Sequence, residues 1–181
     1  MTRSRPHQLL VMGVAGCGKS TLAAELAHAL GCVLIEGDDY HPAQNQEKMR
    51  AGIALDDADR APWLAHLGAL LAHASEGAVL TCSALKRRYR DQLRAAAPAL
   101  AIVYIDITPL QAYARATART DHFFPASLVD SQFDALESPL GEAGVLRVEA
   151  AQPLTEQLDA ILCWLRHHVR QTAHPLEETS S

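Results

Sequence analysis

A three-layer α/β fold, with a five-stranded parallel sheet between two layers of helices, is predicted by three features of this 181-residue sequence. Five short apolar runs alternate with stretches of helical periodicity, the pattern of strands joined by crossover helices. A glycine-rich loop stands between the first apolar run and the first helical stretch. Hydrophobic residues make up 49% of the chain, enough to bury one core, and no apolar run is long enough to cross a bilayer.

The elements follow in order. Residues 8–12 are apolar after the first and predict a strand buried on both faces. Leu22, Leu26 and Leu30 recur every fourth residue and mark the first helix. Residues 32–35, 78–82, 101–105 and 145–148 predict the other four strands. Leu154, Leu158, Ile161, Leu162, Leu165 and Val169 line one face of a final helix. Residues 171–181 are polar and expected to be a disordered tail. The chain therefore reads as one domain over residues 1–170.

Two stretches break the alternation. Residues 36–62 are long, polar and charge-rich, and residues 120–144 carry Pro125, Pro139 and the pair Phe123-Phe124. Long insertions in a compact domain are functional or disordered, and insertions after strand ends lie where α/β proteins bind ligands. The second is expected to be a lid, with Phe123, Phe124 and Phe133 as its apolar contacts.

Composition narrows the partners. A net charge of -5 argues against nucleic acid. Residues 1–8 lack the apolar middle of a secretory signal, and nothing points to a membrane. Cys17, Cys32, Cys82 and Cys163 are widely spaced, with no metal-type pair, and read as reduced thiols of a cytoplasmic protein. The cations comprise thirteen Arg and three Lys, so Lys19, Lys48 and Lys86 stand out as places for a compact ammonium.

The strongest signal is Gly13-Val14-Ala15-Gly16-Cys17-Gly18-Lys19-Ser20, which satisfies G-x-x-x-x-G-K-[ST] in full. Such a loop turns backbone N–H groups onto phosphate oxygens, aided by the N-terminus of the helix that follows. Lys19 is expected to reach the β and γ phosphates, Ser20 to ligate Mg²⁺, and Thr21 to start the helix and touch the α phosphate. The N-K-x-D motif of a GTPase and the L-S-G-G-Q motif of a transport ATPase are both absent. Asp106 ends the fourth strand and is read as a strand terminus. A small kinase using ATP fits best.

Glu36-Gly37-Asp38 follows the second strand, which is expected to neighbour the loop's strand. A carboxylate at Asp38 can take a hydroxyl proton and orient the oxygen for in-line attack. Glu36 can hold Mg²⁺ through water.

Three further blocks carry a family likeness. They are HPAQNQEKMRAGIALDDADRAPWL from His41, CSALKRRYRDQLR from Cys82 and RTDHFFPASLVDSQFDALESP from Arg119. Together with the phosphate loop they resemble gluconate kinase of the small P-loop type, related to shikimate and nucleoside monophosphate kinases. The resemblance implies a P-loop NTPase fold with a lid insertion. It also implies MgATP-dependent phosphorylation of D-gluconate at its C6 hydroxyl. By it, Asp38 contacts the acceptor hydroxyl, Arg60 the substrate carboxylate, and Arg115 and Arg119 the nucleotide phosphates. His41, Lys48, Ser83, Lys86 and His122 join the substrate list, His41 with the alternative of a plain turn residue before Pro42. Arg is suited to a carboxylate by its two parallel N–H bonds. Arg87 and Arg88 are expected on the surface, and Trp63 in the core.

Three positions depart from the family pattern: Glu36 stands for Asp, Cys17 for Ser, and Ala54 for Pro. Cys17, near a helix N-terminus, is expected to be open to oxidation. The rival readings are a kinase of another small acid or polyol, such as shikimate, and a nucleotide switch without an acceptor. Whether two chains pair is left open.

Overall fold

A computed structural model of the chain describes residues 7–118 and 127–173. Its sheet has five strands, all parallel, in the order β2-β3-β1-β4-β5: β1 Gln8–Met12, β2 Val33–Glu36, β3 Ala78–Thr81, β4 Ala101–Asp106 and β5 Val145–Glu149. The helices are α1 Lys19–Leu30, α2 Ala43–Arg50, α3 Asp57–His73, α4 Arg87–Ala96, α5 Pro109–Ala118, α6 Ser127–Ala135 and α7 Leu154–Ala173. The five strands and three-layer class expected from the sequence are present. α7 runs on to Ala173, past the point where fraying was expected, and residues 174–181 lie outside the described chain.

Alternation along the strands builds two cores. Leu9, Val11, Val79, Val103 and Ile105 face one side of the sheet, with Leu22, Leu26, Ile161 and Leu165 of α1 and α7. Leu10, Met12, Leu80 and Ile102 face the other, with Leu64, Leu67 and Leu71 of α3 and Leu93 of α4. Helices on both faces are what a parallel sheet requires, since neither face can be left to water.

One adjacency differs from expectation. β2 does not pair with β1, because β3 lies between them. The reach across β3 is made by side chains. Thr81 Oγ1, at the end of β3, donates to Glu36 Oε2 at 2.7 Å and accepts from Gly37 N–H at 3.1 Å. Gly37 is a 3₁₀ turn residue pressed so close to the Thr81 carbonyl that a Cβ would overlap it. A side chain there would push Asp38 away from the sheet.

The β3–α4 turn is held by Arg90, whose side chain is 0% exposed. Its guanidinium donates to the carbonyls of Ala84 and Leu85, each at 2.9 Å, and to Glu142 at 2.5 Å. Ala84 has φ 42, left-handed backbone that Ala adopts under strain, and these bonds fix it. Burial alone would raise the Glu142 carboxyl, but hydrogen bonds from Arg90 and Arg94 outweigh it and hold the pKa low. Arg90→Met leaves a carboxylate only 8% exposed without its main partner. We expect a loss of about 3 kcal/mol in urea unfolding; a loss under about 1 kcal/mol would contradict this role.

Candidate active site

The carboxyl ends of β1, β2 and β3 open on one cavity of about 350 Å³. At one end it is lined by Ala15, Gly16, Gly18, Lys19 and Ser20 of the phosphate loop. At the other stand Asp38, His41, Arg60, Trp63 and Ser83. A cavity this size suits a small ligand.

The loop's shape follows from its glycines. Gly13 has φ +146, and a Cβ on it would lie 2.8 Å from both the Ile105 carbonyl and Cys17 Sγ. Val14 and Cys17 turn inward, each 2% exposed, and join the core. Cys17 is therefore shielded, which corrects the expectation that it is open to oxidation. α1 starts at Lys19 rather than at Thr21, which is exposed on its first turn. Lys19 Nζ donates to the Gly13 and Val14 carbonyls, each at 3.1 Å. Among the described residues no carboxylate pairs with it, so its charge is held against the loop and left for an anion. Arg115 on α5 donates to the Cys17 carbonyl at 3.3 Å and to that of Ala150 at 2.7 Å, which places it against the loop's outer side.

Ser20 Oγ donates to Glu36 Oε2 at 3.1 Å. A hydroxyl and a carboxylate in contact beside a phosphate loop fit the donor set of Mg²⁺, which takes one or two protein oxygens and completes its shell with phosphate and water. Among the described residues no group of three or more His, Cys, Asp or Glu could hold a metal alone.

Asp38 is 82% exposed toward the cavity, and its ion-pair contact among the described residues is His41 Nε2 at 3.9 Å. His41 is buried and stacks on Trp63, ring centroids 3.9 Å apart, while Trp63 Nε1 donates to the Gly37 carbonyl at 2.8 Å. Trp63 is thus core, as expected, and also a wall of the cavity. Burial lowers the His41 pKa from its ordinary 6.5; Asp38 works against the shift and Arg60 with it. The unfolded chain then takes up this proton first, so the stability due to neutral His41 is complete above about 6.5 and is lost as pH falls below it. Urea unfolding at pH 7.5 and 5 should show wild type losing more stability than His41→Gln. An equal loss would refute this. Burial pushes the Cys82 thiol up to about 12, so it stays protonated beside the site.

Arg60 lines the acceptor end, with its guanidinium donating to the Leu55 carbonyl and near the ring of Tyr89. Two expected residues are not at the cavity wall. Lys48 Nζ bonds both Asp59 oxygens, at 2.6 and 2.8 Å. Asp59 caps α3 reciprocally with Asp56, so the lysine is spent on the N-terminus of that helix. Lys86 pairs with Asp57 at 3.1 Å, in a cluster with Arg88 and Tyr89. The first carboxylates of α3, drawn to its N-terminus, thus capture both lysines. Arg87 is exposed and pairs with Asp91. Asp106 binds Arg147 and Tyr104, in line with its reading as a strand end. Arg119, His122, Phe123 and Phe124 lie outside the described residues; Phe133, expected as a lid contact, packs on the core instead.

Sequence reasoning missed Gln132 of α6, which lines the cavity and accepts from Ala15 N–H at 2.6 Å. It also missed Met49 and Ile53, which give the acceptor end an apolar side. The Q-F-x-x-L-E block held Gln132, but nothing in its spacing showed that α6 folds back onto the loop.

A phosphate loop sharing its cavity with an acceptor pocket, in a chain this small, defines the class of small-molecule P-loop kinases. A family model described as "AAA domain" matches residues 9–140. A gluconokinase of Gluconobacter oxydans is 49% identical over 147 residues, covering 80% of this chain and 83% of that one. The thermoresistant gluconokinase of Escherichia coli is 40% identical, covering 82% and 87%. A crystal structure of a gluconokinase from Sinorhizobium meliloti superposes with a TM-score of 0.85 at 44% identity, covering 95% of this chain and all of that one. The chain belongs to the gluconokinase family of P-loop kinases.

Proposed function

We propose that this protein transfers the γ-phosphoryl group of ATP to the C6 hydroxyl of D-gluconate, giving 6-phospho-D-gluconate and ADP. The observation that carries the proposal is the single cavity joining Lys19 and Ser20 to Asp38 and Arg60. Arg60 suits the substrate's carboxylate at C1. A chain held by C1 presents its far end, C6, to the phosphate loop. His41 and Ser83 are within the same cavity to meet the intervening hydroxyls.

The C6 oxygen forms its bond to the γ phosphorus as the bond to the β–γ bridging oxygen breaks, and the hydroxyl proton passes to Asp38. Lys19 neutralises charge on the transferring group, and the loop N–H groups hold the phosphates. Ser20, with Glu36 through water, is where Mg²⁺ would be held; the ion would supply neutralisation of the phosphate charge. Lys48 and Lys86 act through α3, positioning the segment that carries Arg60. Arg115 supports the loop, while His122 belongs to the segment expected to close over both ligands and Arg119 stands at its entry. That segment, residues 120–144, is taken as the lid of one domain spanning residues 1–170. The described residues contain no helix long and apolar enough to cross a membrane. The cytoplasmic assignment is proposed from the free, widely spaced thiols.

Initial rates of ATP consumption with gluconate, other sugar acids, shikimate or no acceptor test the proposal. Gluconate should give the highest kcat/KM. Turnover independent of acceptor, or a preference for shikimate, would overturn it.

A further inference from the structure

The Gln132 contact has no part in the reaction as described. Its Oε1 accepts from Ala15 N–H at 2.6 Å, across 117 residues of sequence. Ala15 lies within the phosphate loop, where inward N–H groups are the phosphate ligands. A carboxamide oxygen on such an N–H is a neutral substitute for a phosphate oxygen. Both cannot take the same N–H at full strength.

α6 is also tied to the acceptor side of the site. Beyond its C-terminus Glu137 N–H donates to the Leu85 carbonyl at 2.9 Å, and Glu137 Oε2 accepts from Arg87 N–H at 2.6 Å. Arg90 adds a bond to the Glu137 carbonyl at 3.1 Å. The same turn carries Ser83, so the segment is anchored on the acceptor side and reaches the nucleotide side through Gln132.

We propose that Gln132 is a positioning residue that holds the empty phosphate loop as a phosphate surrogate and is displaced from Ala15 N–H by the arriving nucleotide. Gln132 thereby opposes nucleotide binding in the free enzyme and sets where α6 lies according to whether the loop is filled. The inference rests on the nucleotide half of the proposed function and is independent of gluconate.

Calorimetric titration of the full chain with ADP tests it, using wild type, Gln132→Met and Gln132→Glu. Methionine keeps the volume and loses the acceptor, so ADP should bind about twofold to tenfold tighter, the worth of one net hydrogen bond. Glutamate keeps an acceptor, strengthens it by charge and repels phosphate, so binding should weaken by about tenfold or more. A purely structural role would weaken binding in both. Unchanged or weaker ADP binding by Gln132→Met overturns the proposal. Wild type that binds no ADP would overturn the nucleotide reading instead.

Discussion

Lys19→Ala is expected to lower turnover by on the order of a hundredfold to a thousandfold, the effect of removing one donor aimed at developing charge. The fold should survive. Among the described residues Lys19 bonds the loop carbonyls of Gly13 and Val14, and the core beneath is carried by Val14, Cys17 and Leu22. Steady-state kinetics beside a thermal melt reads both halves. Wild-type turnover in this variant would remove Lys19 from the chemistry.

Asp38→Asn is expected to lower kcat by about a hundredfold, the low end for loss of a general base, because the phosphoryl transition state is loose and needs little proton removal. Asn keeps the size of the side chain and a possible contact with His41 but cannot take a proton. ATP affinity should change little, because the carboxylate faces the acceptor end of the cavity with Arg60 and His41. Direct ATP binding alongside kinetics separates the cases. An affinity that falls in step with turnover would make Asp38 a nucleotide or metal residue.

The sheet was legible because its strands are continuous apolar runs, and the phosphate loop because its spacing is set by the ligand it wraps. Strand order was not. Glu36 Oε2 accepts from both Ser20 and Thr81 of β3, the second contact spanning 45 residues, and no local pattern encodes it. The lysines failed for a related reason. Lys48 and Lys86 lie in substrate-like blocks, yet Asp59 and Asp57 at the start of α3 hold them. Charge pairing is decided by which helix end comes near, and that is tertiary. Arg90 sits in the same basic run as Lys86, but its burial against Glu142 makes it the fastening of the Ser83 turn. Gln132 shows the converse: an ordinary surface-type residue by sequence, brought to Ala15 by the fold.

Phosphorus NMR of a completed reaction with ATP and gluconate tests the central claim most directly. C6 is the one carbon of gluconate with a primary hydroxyl, so its phosphate couples to two methylene hydrogens, diastereotopic but similarly coupled to phosphorus. ADP and one new phosphomonoester resonance, split as an apparent triplet, are expected. Inorganic phosphate alone, or a doublet from a phosphate on a secondary carbon, would contradict it.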